Sequence, residues 1–342
     1  MTQIRTSASP AAQAGAPADS PESVTTVRLR PRYEGSNICT WIGFKHVNYL
    51  VEEAVLEHLR RTGRAAGRLY EEHGLCVDIV DIDSRILSAT HIDDSVTARV
   101  VAQEKPVDGE LALGVTLHVD GPTPVRTVTA KVRVVLRLDP RGGGAAPVPA
   151  DLEPYTVERI DRAGLARVPA AAVPPRIGDG APGGSGDTAE RFLWALTADT
   201  NAYAWKWRVP YFYCHFTERL QMSGYLRLME EAVDLFLADR DISIKRLLDE
   251  QDWIPVVPQN SVSMLREVGM EEDLYTVLTV ENVFKRLTYT ARMDTYVLRD
   301  GVPLLTATGR ITHGYARIEN RRDWSLVEFD DRMLRGLNGW QV

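Results

Sequence analysis

The sequence predicts an α+β chain made of two tandem copies of one unit, each a long helix with antiparallel strands wrapped around it, paired as a pseudo-dimer. Three observations lead there. Tyr49 opens YLVEEAVLEHLRRTG and Tyr225 opens YLRLMEEAVDLFLADRD, and both segments carry Glu-Glu-Ala-Val inside an apolar pattern of helical period. Sliding the chain along itself by 178 residues lays RYEGSNICTWIGFKHVNYLVEEAVLEHL over PYFYCHFTERLQMSGYLRLMEEAVDLFL without a gap. Tyr33 then meets Tyr211, Leu50 meets Leu228, and Glu52-Glu53 meet Glu230-Glu231. Further on, Asp120-Gly121 and Asp300-Gly301 each stand between alternating apolar runs, a strong hairpin signal.

Each element follows in order. Residues 1–25, rich in Ala, Ser and Pro, read as a disordered leader without the apolar stretch of a secretory signal. The first unit is expected over 26–139. Its helix runs from about Gly43 to Arg61, with Phe44, Val47, Leu50, Val51, Ala54-Val55 and Leu59 on a broad apolar stripe. A stripe that wide is covered on more than one side, as by a sheet that curls around it. Strands follow at LCVDIVDIDSRIL, DSVTARVVAQE, ELALGVTLHV and RTVTAKVRVVLRL. Residues 140–194, rich in Ala, Pro and Gly, have linker composition. The second unit, 195–342, repeats the order with WIPVVPQNSVSML, LYTVLTVENVFKR, LTYTARMDTYVLR and LLTATGRITHGYARI. The aromatic run YAWKWRVPYFY reads as core and packing between the units.

The bulk numbers narrow the class. A chain of 342 residues with 44% hydrophobic and 25% charged residues suits two globular domains. A formal net charge of -7 argues against a general nucleic-acid partner. No apolar run reaches the roughly 18–20 residues that a membrane-spanning helix needs. Three cysteines, Cys39, Cys76 and Cys214, without C-x-x-C spacing fit a reducing cytoplasm and supply no zinc pattern. No metal and no cofactor are expected.

With these residues in hand the pattern resembles a double hotdog protein, a helix rolled in a curved antiparallel sheet, twice over. RYEG, Thr40 and NYLVEE (Asn48 to Glu53) are similar to the N-terminal half of acyl-carrier-protein thioesterases. HFTERLQMSGYLRLMEEA is similar to the helix entry of the 4-hydroxybenzoyl-coenzyme-A thioesterase superfamily. That superfamily's acidic turn before the helix is absent. His215 stands where its second aspartate would, and Asn37 holds the equivalent place in unit one. The resemblance implies an acyl thioester of coenzyme A or acyl carrier protein as substrate, bound between the units near a helix N-terminus. It also implies hydrolysis, in fatty-acid or polyketide metabolism. The alternatives on the same fold are a dehydratase, a decarboxylase/acyltransferase, or a non-catalytic acyl-binding scaffold. A homodimer is compatible with all of them.

Candidate residues follow from chemistry. His215 is the expected general base, since histidine titrates near neutral pH. Glu218 and Gln221 could orient water or the carbonyl, or simply cap the helix. Glu53 and Glu231, or their neighbours Glu52 and Glu230, offer one catalytic carboxylate, the rest lying on a solvated helix face. Asn37, Thr40, His46, Asn48 and Tyr225 are the expected substrate contacts, the polar ones needing partners if buried. Lys45, Arg219 and Arg227 could meet coenzyme-A phosphates or an acidic carrier. Cys214 beside His215 is not expected to pair with it, because neighbours on extended chain point to opposite faces.

Overall fold

The computed structural model describes residues 24–103, 109–139, 141, 146–161, 187–198 and 200–338. The expected leader therefore lies outside the described residues up to residue 23. In unit one, strand β1 (Val24–Leu29) and a 3-10 turn at Tyr33–Gly35 lead to helix α1 (Phe44–Arg61) and the short helix α2 (Ala66–His73). Strands β2 (Leu75–Ile86), β3 (Val96–Ala102), β4 (Leu111–Val119) and β5 (Val125–Leu138) complete it. Unit two repeats this: β7 (Tyr203–Arg208), a 3-10 turn at Tyr211–Tyr213, α4 (Met222–Asp239), α5 (Ile244–Gln251) and β8 (Trp253–Met264). Its last strands are β9 (Asp273–Phe284), β10 (Thr288–Arg299) and β11 (Val302–Ile318). A shift of 178 residues carries α1 onto α4, α2 onto α5 and β2 onto β8, end to end.

The sheet is continuous, in the order β1-β3-β4-β5-β2-β8-β11-β10-β9-β7. Read from its centre outward, the two halves have the same sequence of strands. The seam is the antiparallel pair β2–β8, where Asp83 faces Ser261, the residue that the 178 shift makes its own counterpart. A pseudo-twofold axis therefore passes through that pair. Even a β-bulge repeats, after Leu117 in β4 and after Thr295 in β10. Both long helices pack on one side of the sheet, and their apolar stripes belong to one core that crosses the seam. Val51, Ala54 and Val55 of α1, and Tyr225, Leu226 and Phe236 of α4, are fully buried there.

The two Asp-Gly hairpins turn out differently. Asp300 (φ 52°) and Gly301 (φ 74°) form a two-residue turn with both φ positive, the geometry that matches strand twist. Asp120-Gly121 instead opens a connection over 120–124, whose Pro122 and Pro124 lack the N–H that a tight ladder needs.

Parts that the sequence did not resolve decorate the repeat. Within the expected linker, residues 156–157 form strand β6 (Thr156–Val157) beside β5, and Leu152 and Ile160 are buried. Residues 162–186 lie outside the described residues. Helix α3 (Thr188–Thr197) lays Phe192, fully buried, against Tyr275 and Tyr296 on the outer face of unit two. Strand β12 (Trp324–Leu326) and helix α6 (Asp331–Asn338) close the end of unit two. The aromatic run is not inter-unit packing as expected. Its strand β7 is the far edge of the sheet, and Tyr211 and Phe212 are 78% and 62% exposed. Among the described residues no helix is long and apolar enough to cross a membrane.

Candidate active site

Before α4 the chain makes a tight loop closed by a bridge between Cys214 and Leu220. His215 N–H donates to Arg219 O and Glu218 sits at φ 61°, which doubles the strand back on itself. Alternation along this loop sends Phe216 and Glu218 to solvent and His215, Thr217 and Arg219 inward. What they meet belongs to the other unit. Asp78, buried on β2, accepts from His215 Nε2 at 3.0 Å through Oδ1 and from Arg219 at 2.8 Å through Oδ2.

On its other side the imidazole accepts the Thr217 N–H at Nδ1 (3.1 Å), which leaves the proton of the neutral ring on Nε2, toward Asp78. Thr217 Oγ1 lies 2.5 Å from the same Nδ1. Hydroxyl, imidazole and carboxylate thus form one hydrogen-bonded line. Burial opposes ionisation of Asp78, but the hydrogen bond from His215 and the Arg219 charge outweigh it and hold the carboxyl below its usual range. Around this line Glu267 receives Arg137 at 2.9 Å and lies 3.7 Å from Arg219, while Asp139 binds Tyr70 and Arg141.

The pseudo-twofold axis generates a second position, and it has lost this chemistry. Asp78 corresponds to Val256, Arg219 to Trp41, Glu267 to Ala89 and Tyr70 to Leu248, and these counterparts form an apolar cluster with Ile254 and Ala316. One half keeps a buried ionic site; the other fills the same space with hydrophobic side chains.

The helix N-termini differ in the same sense. Lys45 of α1 pairs with Glu230 of α4 at 2.6 Å beside the start of α1. The axis converts that pair into Ser223 and Glu52, so a serine replaces the lysine at the start of α4 and its carboxylate partner is left without a salt bridge or hydrogen bond among the described residues. Burial first, then repulsion from Glu53, pushes the Glu52 carboxyl up to about 7, against a weaker opposing pull from Arg32. Tyr49 links the helices, accepting from Arg227 Nε at 3.0 Å.

The expected residues divide between these places. His215 stands in the ionic site and Glu218 on its rim, paired with Arg141 at 2.9 Å. Gln221 is the residue before α4 and caps nothing with its side chain. Asn37 and Thr40 lie on the equivalent loop of unit one, with Asn37 bonded to Ile38 N–H and Thr40 to His91. His46 is buried over Gly35, against Tyr49, and its Nε2 has no hydrogen bond among the described residues. Asn48 is fully buried and donates to Asn260 of β8, which also accepts from Ser84 of β2. Tyr225 is core, its hydroxyl toward the Thr295–Thr306 pair. Glu53 is half exposed near Arg32, and Glu231 accepts weakly from Tyr213. Cys214 is apart from His215's hydrogen bonds, and burial raises its thiol pKa.

Asp78, Thr217 and the pairing role of Arg219 are not in the expected set. A signal for Asp78 existed. It shares a strand face with Cys76, which is fully buried, and the 178 slide lays it over Val256.

No family model and no curated protein matches the chain. Solved structures do. An oleoyl thioesterase from Lactobacillus plantarum superposes with a TM-score of 0.56 at 11% identity, over 86% of this chain and 95% of that one. A 12:0-ACP thioesterase from Umbellularia californica gives 0.56 at 12% identity, over 85% and 94%. An acyl-ACP thioesterase from Bacteroides thetaiotaomicron gives 0.50 at 7% identity, over 85% and 97%. With its matching halves, single curved sheet and paired central helices, the chain has the double hotdog fold.

Proposed function

We propose that the chain hydrolyses an acyl thioester of coenzyme A or acyl carrier protein at a single site, the one built from Asp78, His215, Thr217 and Arg219. The observation that carries this reading is the pairing of Asp78 with His215 across the two units, next to the start of α4, with no counterpart at the axis-related position. The similar folds whose names include oleoyl, 12:0-ACP and acyl-ACP thioesterase support the substrate class.

The thioester carbonyl lies at the α4 N-terminus, where the first N–H groups have no carbonyl ahead of them in the helix and the helix dipole favours negative charge. Those groups hold the oxyanion as water adds to the carbonyl carbon. The Thr217 hydroxyl, which contacts Nδ1 at 2.5 Å, takes the proton of the water as it gives its own to Nδ1 of His215, displacing the weaker Thr217 N–H contact. Asp78 keeps the ring in this tautomer and stabilises the imidazolium, and Arg219 fixes Asp78. Collapse of the tetrahedral adduct breaks the C–S bond, and the proton passes from His215 to the departing thiolate. Water and thioester become acid and thiol.

The test is a panel of acyl-coenzyme-A and acyl-carrier thioesters, followed by release of free thiol and product mass. Thiol release that falls in His215→Ala and Asp78→Asn supports the reading. Loss of water or of CO2 from the acyl group identifies a dehydratase or a decarboxylase instead, and binding without turnover identifies a scaffold.

A further inference from the structure

On the outer face of unit one, the side of the sheet turned away from α1, strands β2 to β5 surround a hollow of about 490 Å³. Three cations line it: Arg85, Arg99 and Lys131, all exposed. None of them has an ion-pair or hydrogen-bond partner among the described residues. Asp83 is the single acidic residue of the lining.

The strand register fixes the layout. One row across the sheet reads Arg99, Thr116, Thr129, Arg85, each directly opposite the next. The two arginines are therefore three strand spacings apart, roughly 14 Å at the backbone, with two hydroxyls between them. In the adjoining row Gly114 stands between Val101 and Lys131. A Cβ at Gly114 would meet nothing nearer than Val101 O at 3.9 Å, so the floor is open. Glycine inside a strand weakens it, and a close approach by a ligand is one reason for it.

Unit two carries other residues at the equivalent positions. The residue in the place of Gly114 is Arg292, between Thr279 and Arg310 in the register. It pairs with Glu281 and Asp294, and Arg310 pairs with Glu281, so the same area is filled and neutralised. Arg99 is replaced by Val277, which lies in the apolar cluster covered by α3. A chain of net charge -7 thus gathers unpaired cations around a concave floor in unit one, whereas the described residues of unit two carry paired ones. Exposed arginines that served solubility alone would need neither the missing side chain nor the flanking hydroxyls.

We propose that this hollow binds a small, multiply charged phosphate compound, with Arg85 and Arg99 gripping oxygens from opposite sides, Lys131 adding a third charge, and Thr116 and Thr129 donating from the floor. Guanidinium groups match phosphate oxygens two at a time, and the separation of the arginines suits two or more linked phosphates better than one. The site lies across the sheet from the α1 side and does not depend on the thioester reading.

Calorimetric titration of the full chain with inorganic pyrophosphate at low ionic strength tests it, alongside inorganic phosphate and an acidic acyl carrier protein. The expected result is saturable binding of one pyrophosphate, at least tenfold tighter than phosphate and weakened by salt. The Arg85→Ala/Arg99→Ala/Lys131→Ala variant and Gly114→Arg, which fills the hollow as Arg292 does, should each weaken it at least tenfold while keeping the wild-type circular dichroism. Lys206→Ala, which removes an exposed cation elsewhere, should not. The proposal is overturned by absence of saturable pyrophosphate binding, by equal binding in the triple variant, or by binding of the carrier protein alone at this face.

Discussion

Asp78 and His215 are 137 residues apart in the chain and 3.0 Å apart in space, one from each half of the repeat. Neither unit alone holds the pair. The second carboxylate oxygen of Asp78 takes Arg219, so a single buried acid orders two of the three inward side chains of the loop that enters α4.

Replacing Asp78 by Asn keeps the shape and removes the charge. Turnover of a thioester substrate should fall by up to roughly 10⁴, the loss known for an aspartate that orients a catalytic imidazole. Asp78→Ala should also destabilise the fold by about 3–5 kcal/mol, because Arg219 is left buried without its partner. Steady-state kinetics and urea unfolding on both variants separate the two effects.

The acid branch of stability has a definite sign. The Asp78 carboxyl is depressed in the folded state, so its stabilising contribution is present above the ordinary carboxylate range and is lost as pH falls through the lower, folded value. Asp78→Asn should therefore lose less stability on acidification than the wild type. Thermal melts from pH 6 to pH 3 measure this.

Glu52 has the opposite sign. Its carboxyl is raised to about 7, so the neutral form is favoured by the fold. That contribution is complete below the ordinary glutamate value and disappears as pH rises through 7. Glu52→Gln should be close to neutral for stability at pH 4.5 and stabilising at pH 8.5, as read from melting temperatures at the two values.

Trp41 provides the contrast. It occupies the counterpart of Arg219 in the apolar cluster and packs edge-on against Trp324 with ring centroids 5.1 Å apart. Trp41→Ala should cost about 3–5 kcal/mol through the cavity it leaves, with turnover per folded molecule unchanged. Activity normalised to folded protein checks this.

Asn48, Ser84 and Asn260 form a buried polar knot at the seam, and their counterparts under the 178 shift are Leu226, Val262 and Ile82. Asn48 Oδ1 and Asn260 Nδ2 have no hydrogen-bond partner among the described residues. Asn260→Ile alone should cost about 1–3 kcal/mol by stranding Asn48 and Ser84. The Asn48→Leu/Ser84→Val/Asn260→Ile combination should recover most of that loss in urea unfolding.

The fold was legible because repetition is visible without knowing partners. Helical period at Tyr49 and Tyr225, and alternation in the strands, are local signals, and finding each twice in the same order fixed the architecture. The site was legible only on one side. His215 stood out as a titratable residue before a helix, whereas Asp78 is one of several aspartates in VDIVDID and differs from Asp81 and Asp83 by its place along the strand, since the bulge between Ile79 and Asp81 leaves all three on one face. Which part of β2 meets the loop of the second unit is a long-range fact. The short helices α2, α3, α5 and α6 escaped for a related reason: pieces of 8–10 residues are held by tertiary packing more than by propensity. The aromatic run was read as buried because aromatic side chains usually are, yet Tyr211 and Phe212 sit on a turn at the sheet edge.

The proposed hydrolytic site is single and is made jointly by both halves. Thiol release from a matched set of acyl thioesters, measured on wild type, His215→Ala and Trp41→Ala at equal folded concentration, tests this. Turnover in the wild type and in Trp41→Ala, with loss in His215→Ala, is the expected result. Turnover that survives in His215→Ala, or that vanishes in Trp41→Ala, would contradict it.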